Sequence, residues 1–147
     1  MEFNYFDILH RAQKGYSRVL EPICRKWELT RNELDVLLFL ANNPNQNRAA
    51  DIVTNRGMAK SHVSLSVSNL ERRGLLICSK DPSDRRTVHL TLTEEAQVIS
   101  RAGQEAQRAF FARIHQGITP EEFAIWRGIS RKISGNIQEM ESESFEK

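Results

Sequence analysis

The stretch from Met58 to Glu95 constrains this chain more than any other part of it. It holds a helix with one bare polar face, a glycine stop, and two short strands joined by a tip that carries Asp84, Arg85 and Arg86. Wound at about 100° per residue, Ala59 to Arg73 places Val63, Val67 and Leu70 on one side and Ser61, Leu65, Ser68 and Arg72 on the other. The first set is suited to packing. The second, with His62, Ser64 and Asn69, presents short side chains with donors and acceptors, which lets a helix come close to base edges in a major groove. Gly74 after Arg72 and Arg73 suits a left-handed cap, with cations at the negative end of the helix dipole.

Beyond the stop, Leu75 to Lys80 reads as a strand, Asp81-Pro82-Ser83-Asp84 as a turn, and Thr87 to Leu92 as a half-buried strand. Alternation points Val88, Leu90 and Leu92 inward and Thr87, His89 and Thr91 outward. An arginine at such a tip can enter a narrow minor groove, where the negative potential is strongest. The same residues could also form a plain solvated turn. The helix beside them favours the groove, because helix and hairpin together match a known way of docking on duplex DNA.

These residues resemble the multiple antibiotic resistance regulator (MarR) family of winged-helix transcription factors. The run LERRGLL followed by KDPSDRRTVHLTLTEEA is similar to the family's recognition-helix end, wing and entry to the next helix, and the resemblance covers nearly the whole chain. It implies a mainly α fold with a small β-hairpin wing, a winged helix-turn-helix joined to a helical dimerisation region built from the N- and C-terminal helices. It also implies a homodimer on a pseudo-palindromic double-stranded DNA site, usually a repressor, released by a small ligand or by oxidation. By the same resemblance Asp84 orients Arg86, Arg86 enters the minor groove and Arg85 meets phosphate. The expected DNA-facing set is Lys60, Ser61, His62, Ser64, Leu65, Ser68, Asn69, Arg72, Arg85 and Arg86. Where many relatives carry a long basic residue, this chain has Leu65 and Asn69. Asn69 can pair with adenine, Leu65 can meet a thymine methyl, and His62 or Ser61 can serve either purine, which predicts an A/T-leaning half-site. The serines taken singly could instead contact phosphate or be merely exposed.

The remaining pattern is helical. Phe6, Leu9, Gln13, Tyr16, Leu20, Ile23 and Trp27 form a stripe along a first helix that contains Pro22, where a kink is expected unless packing absorbs the missing hydrogen bond. Thr30 to Glu33 has capping-box form and starts a second helix with Leu34, Leu37, Leu38 and Ala41 inward. Asn47 is the expected cap of a short third helix, Arg48 to Asn55. Thr93 caps a helix striped by Ala96, Ile99, Gly103, Ala106, Phe110 and Ile114. Thr119-Pro120-Glu121-Glu122 starts the last, lined by Phe123, Trp126, Ser130, Ile133, Ile137 and Met140. The predicted division is a DNA-binding domain at 30–93 and a dimerisation region at 1–29 with 94–147. Such long stripes exceed what one reading unit covers, so a second copy is expected, although the helices could also fold back as a monomeric bundle.

Composition agrees without deciding. A net charge of +2 and a pI near 8.7 are too mild to establish nucleic-acid binding, so the location of charge carries the argument. Lys60, Arg72, Arg73, Lys80, Arg85 and Arg86 cluster at the reading unit, whereas Glu139, Glu141, Glu143 and Glu146 make the tail acidic. The longest apolar run, Val36 to Ala41, is far below the roughly 20 residues that cross a bilayer, and MEFNYFD has no basic leader, so a soluble cytoplasmic protein with no membrane partner is expected. Cys24 and Cys78 lie in no metal-ligand spacing, so neither a metal nor a cofactor is indicated. The four histidines are scattered, and no phosphate loop or nucleophile elbow is present, which speaks against an enzyme. The family resemblance implies an effector lodged between the dimer helices and the reading unit, where the candidates for a small aromatic or anionic ligand are His10, Arg11, Trp27 and Phe39, although the last two lie at core spacing and the first two could be merely solvated. Cys24, beside Arg25 and Lys26, is an alternative redox sensor. A winged-helix unit that binds protein instead of DNA is a further alternative.

Overall fold

In the computed structural model residues 4–145 are described. Met1 to Phe3 of the N-terminal reading and Glu146 of the acidic tail lie outside them. The element order is α1 (Tyr5–Lys26), α2 (Arg31–Asn42), α3 (Ala49–Asp51) running into a π-helical stretch (Ile52–Arg56), α4 (Lys60–Arg72), β1 (Leu76–Lys80), β2 (Val88–Leu92), α5 (Glu94–Ile114) and α6 (Pro120–Phe145). The fold class is the expected one, mainly α with a two-stranded antiparallel wing. The chain divides into two compact units, residues 1–111 and 112–147.

The first unit is organised around α2. Thr30 and Glu33 form the capping box that starts it, with the Glu33 N–H donating to Thr30 Oγ1 at 3.1 Å and the Thr30 N–H to Glu33 Oε1 at 2.9 Å. Every residue from Glu33 to Leu40 is buried, so Val36, Phe39 and Leu40 are enclosed as well as the expected Leu34, Leu37 and Leu38. A helix surrounded on all sides has no outer face for a periodicity argument to find. Leu20 and Ile23 from α1, Ile52, Val63 and Leu70 from the next two helices, Leu75 and Leu76, Leu90 from β2, and Ala96 and Ile99 from α5 complete this core. Each fully buried leucine or isoleucine stabilises it by roughly 1.5–3 kcal/mol.

Two glycines let α5 approach its neighbours. A Cβ on Gly103 would stand 2.6 Å from Leu38 Cδ2, and one on Gly15 would stand 3.3 Å from Phe110 Cε2. Tyr16 lies 5.5 Å from the Phe110 ring and accepts at its hydroxyl from Gln107 Nε2 at 2.6 Å. The α1 helix continues across Pro22 to Lys26. Its stripe is buried only at Leu20 and Ile23, whereas Phe6 is 80% exposed.

Three sequence expectations change. The third helix has about the expected extent but is α-helical only over Ala49–Asp51 before it turns π-helical, and its start is made by Arg48, whose backbone N–H and guanidinium both bond Asp51. Asn47 therefore does not cap it and is used elsewhere. On α4 the inner face consists of Val63, Ser66 and Leu70, with Val67 half-buried. His89, expected outward, is half-buried.

The second unit contains the last residues of α5 and all of α6. Thr119 and Glu122 make a reciprocal capping box with bonds of 3.2 and 2.9 Å, and His115, Phe123 and Trp126 pack as an aromatic cluster. Ile125, Trp126, Ile129, Ile133, Ile137 and Met140 are all exposed.

Candidate nucleic-acid interface

The polar face of α4 lies open. Lys60, Ser61, His62, Ser64, Leu65, Ser68 and Arg72 are exposed, and Leu65 at 63% exposure stands out as a large apolar side chain among hydroxyls. Asn69 is half-buried, and its Oδ1 accepts from Arg72 Nη2 at 3.1 Å. Opposite this face Val63 and Leu70 are anchored in the core, so the packing of α4 determines which residues can reach a partner. The helix ends as expected: Gly74 has φ of +72°, and the Leu75 N–H reaches back to the Leu70 carbonyl at 2.9 Å.

The wing is held from both edges. On one side β1 pairs with β2 in the register Leu76 to Leu92 through Lys80 to Val88. On the other, Arg48 bridges His89, and the Leu90 N–H donates to the Asn47 carbonyl at 2.7 Å. The His89 ring spans this join, with Nδ1 2.8 Å from Asn47 Oδ1 and Nε2 2.8 Å from Asp81 Oδ2. That contact explains why His89 turns inward. Strand alternation describes the two faces of a ribbon and is blind to a loop lying along its edge.

The tip is a small network of turns. Asp81 Oδ1 accepts from the Ser83 N–H at 2.8 Å and the Ser83 hydroxyl at 2.6 Å. These bonds, and then the His89 contact, hold the Asp81 carboxyl well below the usual carboxylate range. Asp84 Oδ1 accepts from the Arg86 backbone N–H at 3.1 Å, while Oδ2 accepts from the Thr87 hydroxyl at 3.1 Å. Asp84 thus orders the backbone under Arg86 and leaves its guanidinium unclaimed. Arg85 and Arg86 are exposed, and neither guanidinium has a described hydrogen-bond or ion-pair partner.

The four effector candidates are not brought together. Phe39 is 7% exposed inside the core, Trp27 is half-buried with Lys26 Nζ 4.5 Å from its ring centroid, and Arg11 pairs with Asp7 at 2.9 Å while His10 is exposed. An open groove of about 460 Å³ lies instead along α1 and the start of α2, lined by Lys14, Ser17, Arg18, Glu21, Cys24 and Arg31. Sequence reasoning missed it because Lys14 and Arg18 lie on the outer face of α1 and Arg31 belongs to another helix. Arg31 is already engaged by Ser17 and Asp35, each at 3.0 Å. Burial raises the Cys24 thiol above its ordinary value, and Arg31 only partly opposes this. Arg25 is occupied by Glu21. A thiol held protonated is a poor nucleophile, so the expected help from Arg25 and Lys26 does not materialise. Cys78 is pushed up to about 12 by burial and by Glu71. Among the described residues no cluster has the makings of a metal site, and no helix is long and apolar enough to cross a membrane.

A family profile described as a winged helix DNA-binding domain matches residues 29–96. The chain is 30% identical over 106 residues to the uncharacterized HTH-type transcriptional regulator YfiV of Bacillus subtilis, an alignment covering 71% of this chain and 66% of that protein, just under two thirds of its length. It is 22% identical over 114 residues to the homoprotocatechuate degradative operon repressor of Escherichia coli, covering 78% and 76%. Among solved structures, a putative MarR-family regulator of Listeria monocytogenes complexed with 26mer DNA superposes with a TM-score of 0.79 at 20% identity, covering 93% of this chain and 90% of that one. BpsR of Bordetella bronchiseptica, whose DNA binding is regulated by 6-hydroxynicotinic acid, superposes at 0.66 with 24% identity over 87% and 96%. The exposed polar helix and the arginine-tipped wing thus lie inside a segment that matches a winged helix DNA-binding domain, and the fold is that of solved MarR-family regulators.

Proposed function

We propose that this chain is a homodimeric repressor that reads a pseudo-palindromic duplex site through α4 and the wing and leaves it when a small molecule binds. The observation that carries the reading is an exposed polar face on α4, followed by a β1–β2 ribbon whose tip holds two arginines with no described side-chain partner. A helix with hydroxyls and one leucine on its outer face suits a major groove, and cations at a narrow tip suit the adjacent minor groove. In this reading Ser61, His62, Leu65 and Asn69 meet bases, and Lys60, Ser64, Ser68, Arg72 and Arg85 hold the backbone. Arg86 enters the minor groove, on a turn that Asp84 orders.

Dimerisation is supported by the exposed apolar residues of α1 and α6, which belong to the segments 1–29 and 94–147 expected to form the dimerisation region. A two-fold pair would space its recognition helices about 34 Å apart, one turn of DNA. Repression is supported by the name of the Escherichia coli relative, and effector release by the ligand-regulated BpsR. The cationic groove along α1 is the better place for an anionic effector than the four scattered candidates, since its size falls in the range of small-ligand sites.

Selection of duplexes from a randomised pool by the purified protein tests the reading. It is expected to return A/T-leaning inverted repeats with half-sites about one helical turn apart, bound with an affinity that falls steeply as salt rises. G/C-rich half-sites would remove the base assignments, and no enrichment at all would remove sequence-specific binding.

A further inference from the structure

Arg73 was counted with the cations of the reading unit, yet its side chain turns away from the face that Ser61, Leu65 and Ser68 define. Its Nη1 donates to the Glu28 carbonyl at 2.7 Å and its Nη2 to the Trp27 carbonyl at 2.6 Å. Those two oxygens belong to the end of α1, where the last carbonyls of a helix lack partners and the dipole is negative. Glu28 has φ of +53°, the one described non-glycine residue in the left-handed region, and the chain turns here so that the Leu29 N–H returns to the Cys24 carbonyl at 2.9 Å. The backbone of Arg73 is itself fixed as the cap of α4, its N–H bonding the Asn69 carbonyl at 3.1 Å. A planar guanidinium gripping two carbonyls is a rigid connection between two helix ends 45 residues apart in sequence. Among the described residues, the hydrogen bonds between the end of α1 and α4 both come from Arg73.

We propose that Arg73 is a positioning residue, a strut that sets the angle of the recognition helix against the end of α1 and supports DNA affinity without touching DNA. This rests on α4 being the reading helix. Base contacts tolerate little displacement, so loosening the α4 end weakens every contact along it at once. It also ties the recognition helix to the helix end that borders the Cys24 groove, the route by which an event on α1 would reach DNA.

The test compares wild type, Arg73→Met, Arg73→Lys and Arg72→Met on a duplex selected by the wild-type protein, with affinity measured across salt concentrations. Arg73→Met is expected to bind about 10-fold more weakly with an unchanged slope of log affinity against log salt, whereas Arg72→Met is expected to lower the slope by about 0.9, one phosphate. Arg73→Lys is expected to remain several-fold weaker than wild type, because an ammonium does not reproduce the fork, while a phosphate contact would tolerate it. A reduced slope in Arg73→Met, or wild-type affinity in either Arg73 variant, overturns the strut. If Arg73→Met does not fold, the lysine variant decides. Amide hydrogen exchange without DNA separates this from the DNA-binding reading. Exchange at Leu29 and at Arg73 to Leu75 is expected to quicken about 10-fold in the Arg73 variants, with the core unchanged. Unchanged exchange at those amides overturns the strut even if wild type binds no duplex.

Discussion

At the scale of single residues, the wing makes the sharpest commitments. The Arg86 guanidinium has no described partner and its backbone is ordered by Asp84, so Arg86→Ala removes a proposed groove contact and little else. Binding to a selected duplex is expected to weaken about 10-fold or more with the thermal transition unchanged, and equal affinity for both proteins would take the tip out of the mechanism. Asp81 makes a prediction about pH. A carboxyl whose value is depressed on folding contributes stability that is present above its unfolded value, near 3.9, and is lost as pH falls below it. The turn from Ser83 to Thr87 is therefore expected to lose stability progressively from about pH 4 downward in wild type, the loss being complete only once pH has fallen through the depressed folded value of Asp81. Asp81→Asn should lack that acid step and show a looser turn already at neutral pH. Backbone NMR of Ser83 to Thr87 against pH checks this, and an undiminished acid step in the variant counts against Asp81. The presence of Asp84 and two arginines at a turn was legible in the sequence because turn chemistry is local. The roles of Asn47 and His89 were not, since they meet across 42 positions.

Among the elements, the caps were the most faithful signals. Thr30 with Glu33 and Thr119 with Glu122 form the bonds their spacing promised, because both partners lie within one turn. Thr93 starts α5 too, the Ala96 N–H reaching its Oγ1 at 3.4 Å, and the same hydroxyl donates to the Gly74 carbonyl at 2.9 Å. Burial was less faithful. The face of α2 that sequence assigned to the core is only part of what is enclosed, because which sides of a helix are covered depends on neighbours from all over the chain. Gly103 belongs to the same class: sequence placed it on a stripe, and only packing shows that Leu38 occupies the space a Cβ needs. Gly103→Ala is expected to gain helix propensity and still lose about 1–3 kcal/mol through overpacking. Chemical denaturation measures it, and a stabilised variant would show that α5 and α2 can move apart freely.

For the whole molecule, the proposed dimer is the reading that exposed apolar area bears on. Six large apolar side chains of α6, from Ile125 to Met140, are exposed, and on α1 Phe6 and Leu9 are exposed as well. Sedimentation is expected to give twice 16.9 kDa. Ile133→Glu with Ile137→Glu is expected to give a monomer that binds a two-half-site duplex at least about 100-fold more weakly, since linked half-sites no longer reinforce each other. A dimer unaffected by both charges would place the interface elsewhere. What the amino-acid order determined unaided lay within a turn or two of itself: most helix starts and stops, though not the start of the third helix, and with them the hairpin, the polar face of α4 and the arginines at the tip. Only the tertiary structure decided that Arg73 faces α1, that His89 is clamped between a loop and a turn, and that the cationic groove lies along Cys24. Each depends on groups brought together from distant parts of the chain, and no short-range periodicity records such a meeting.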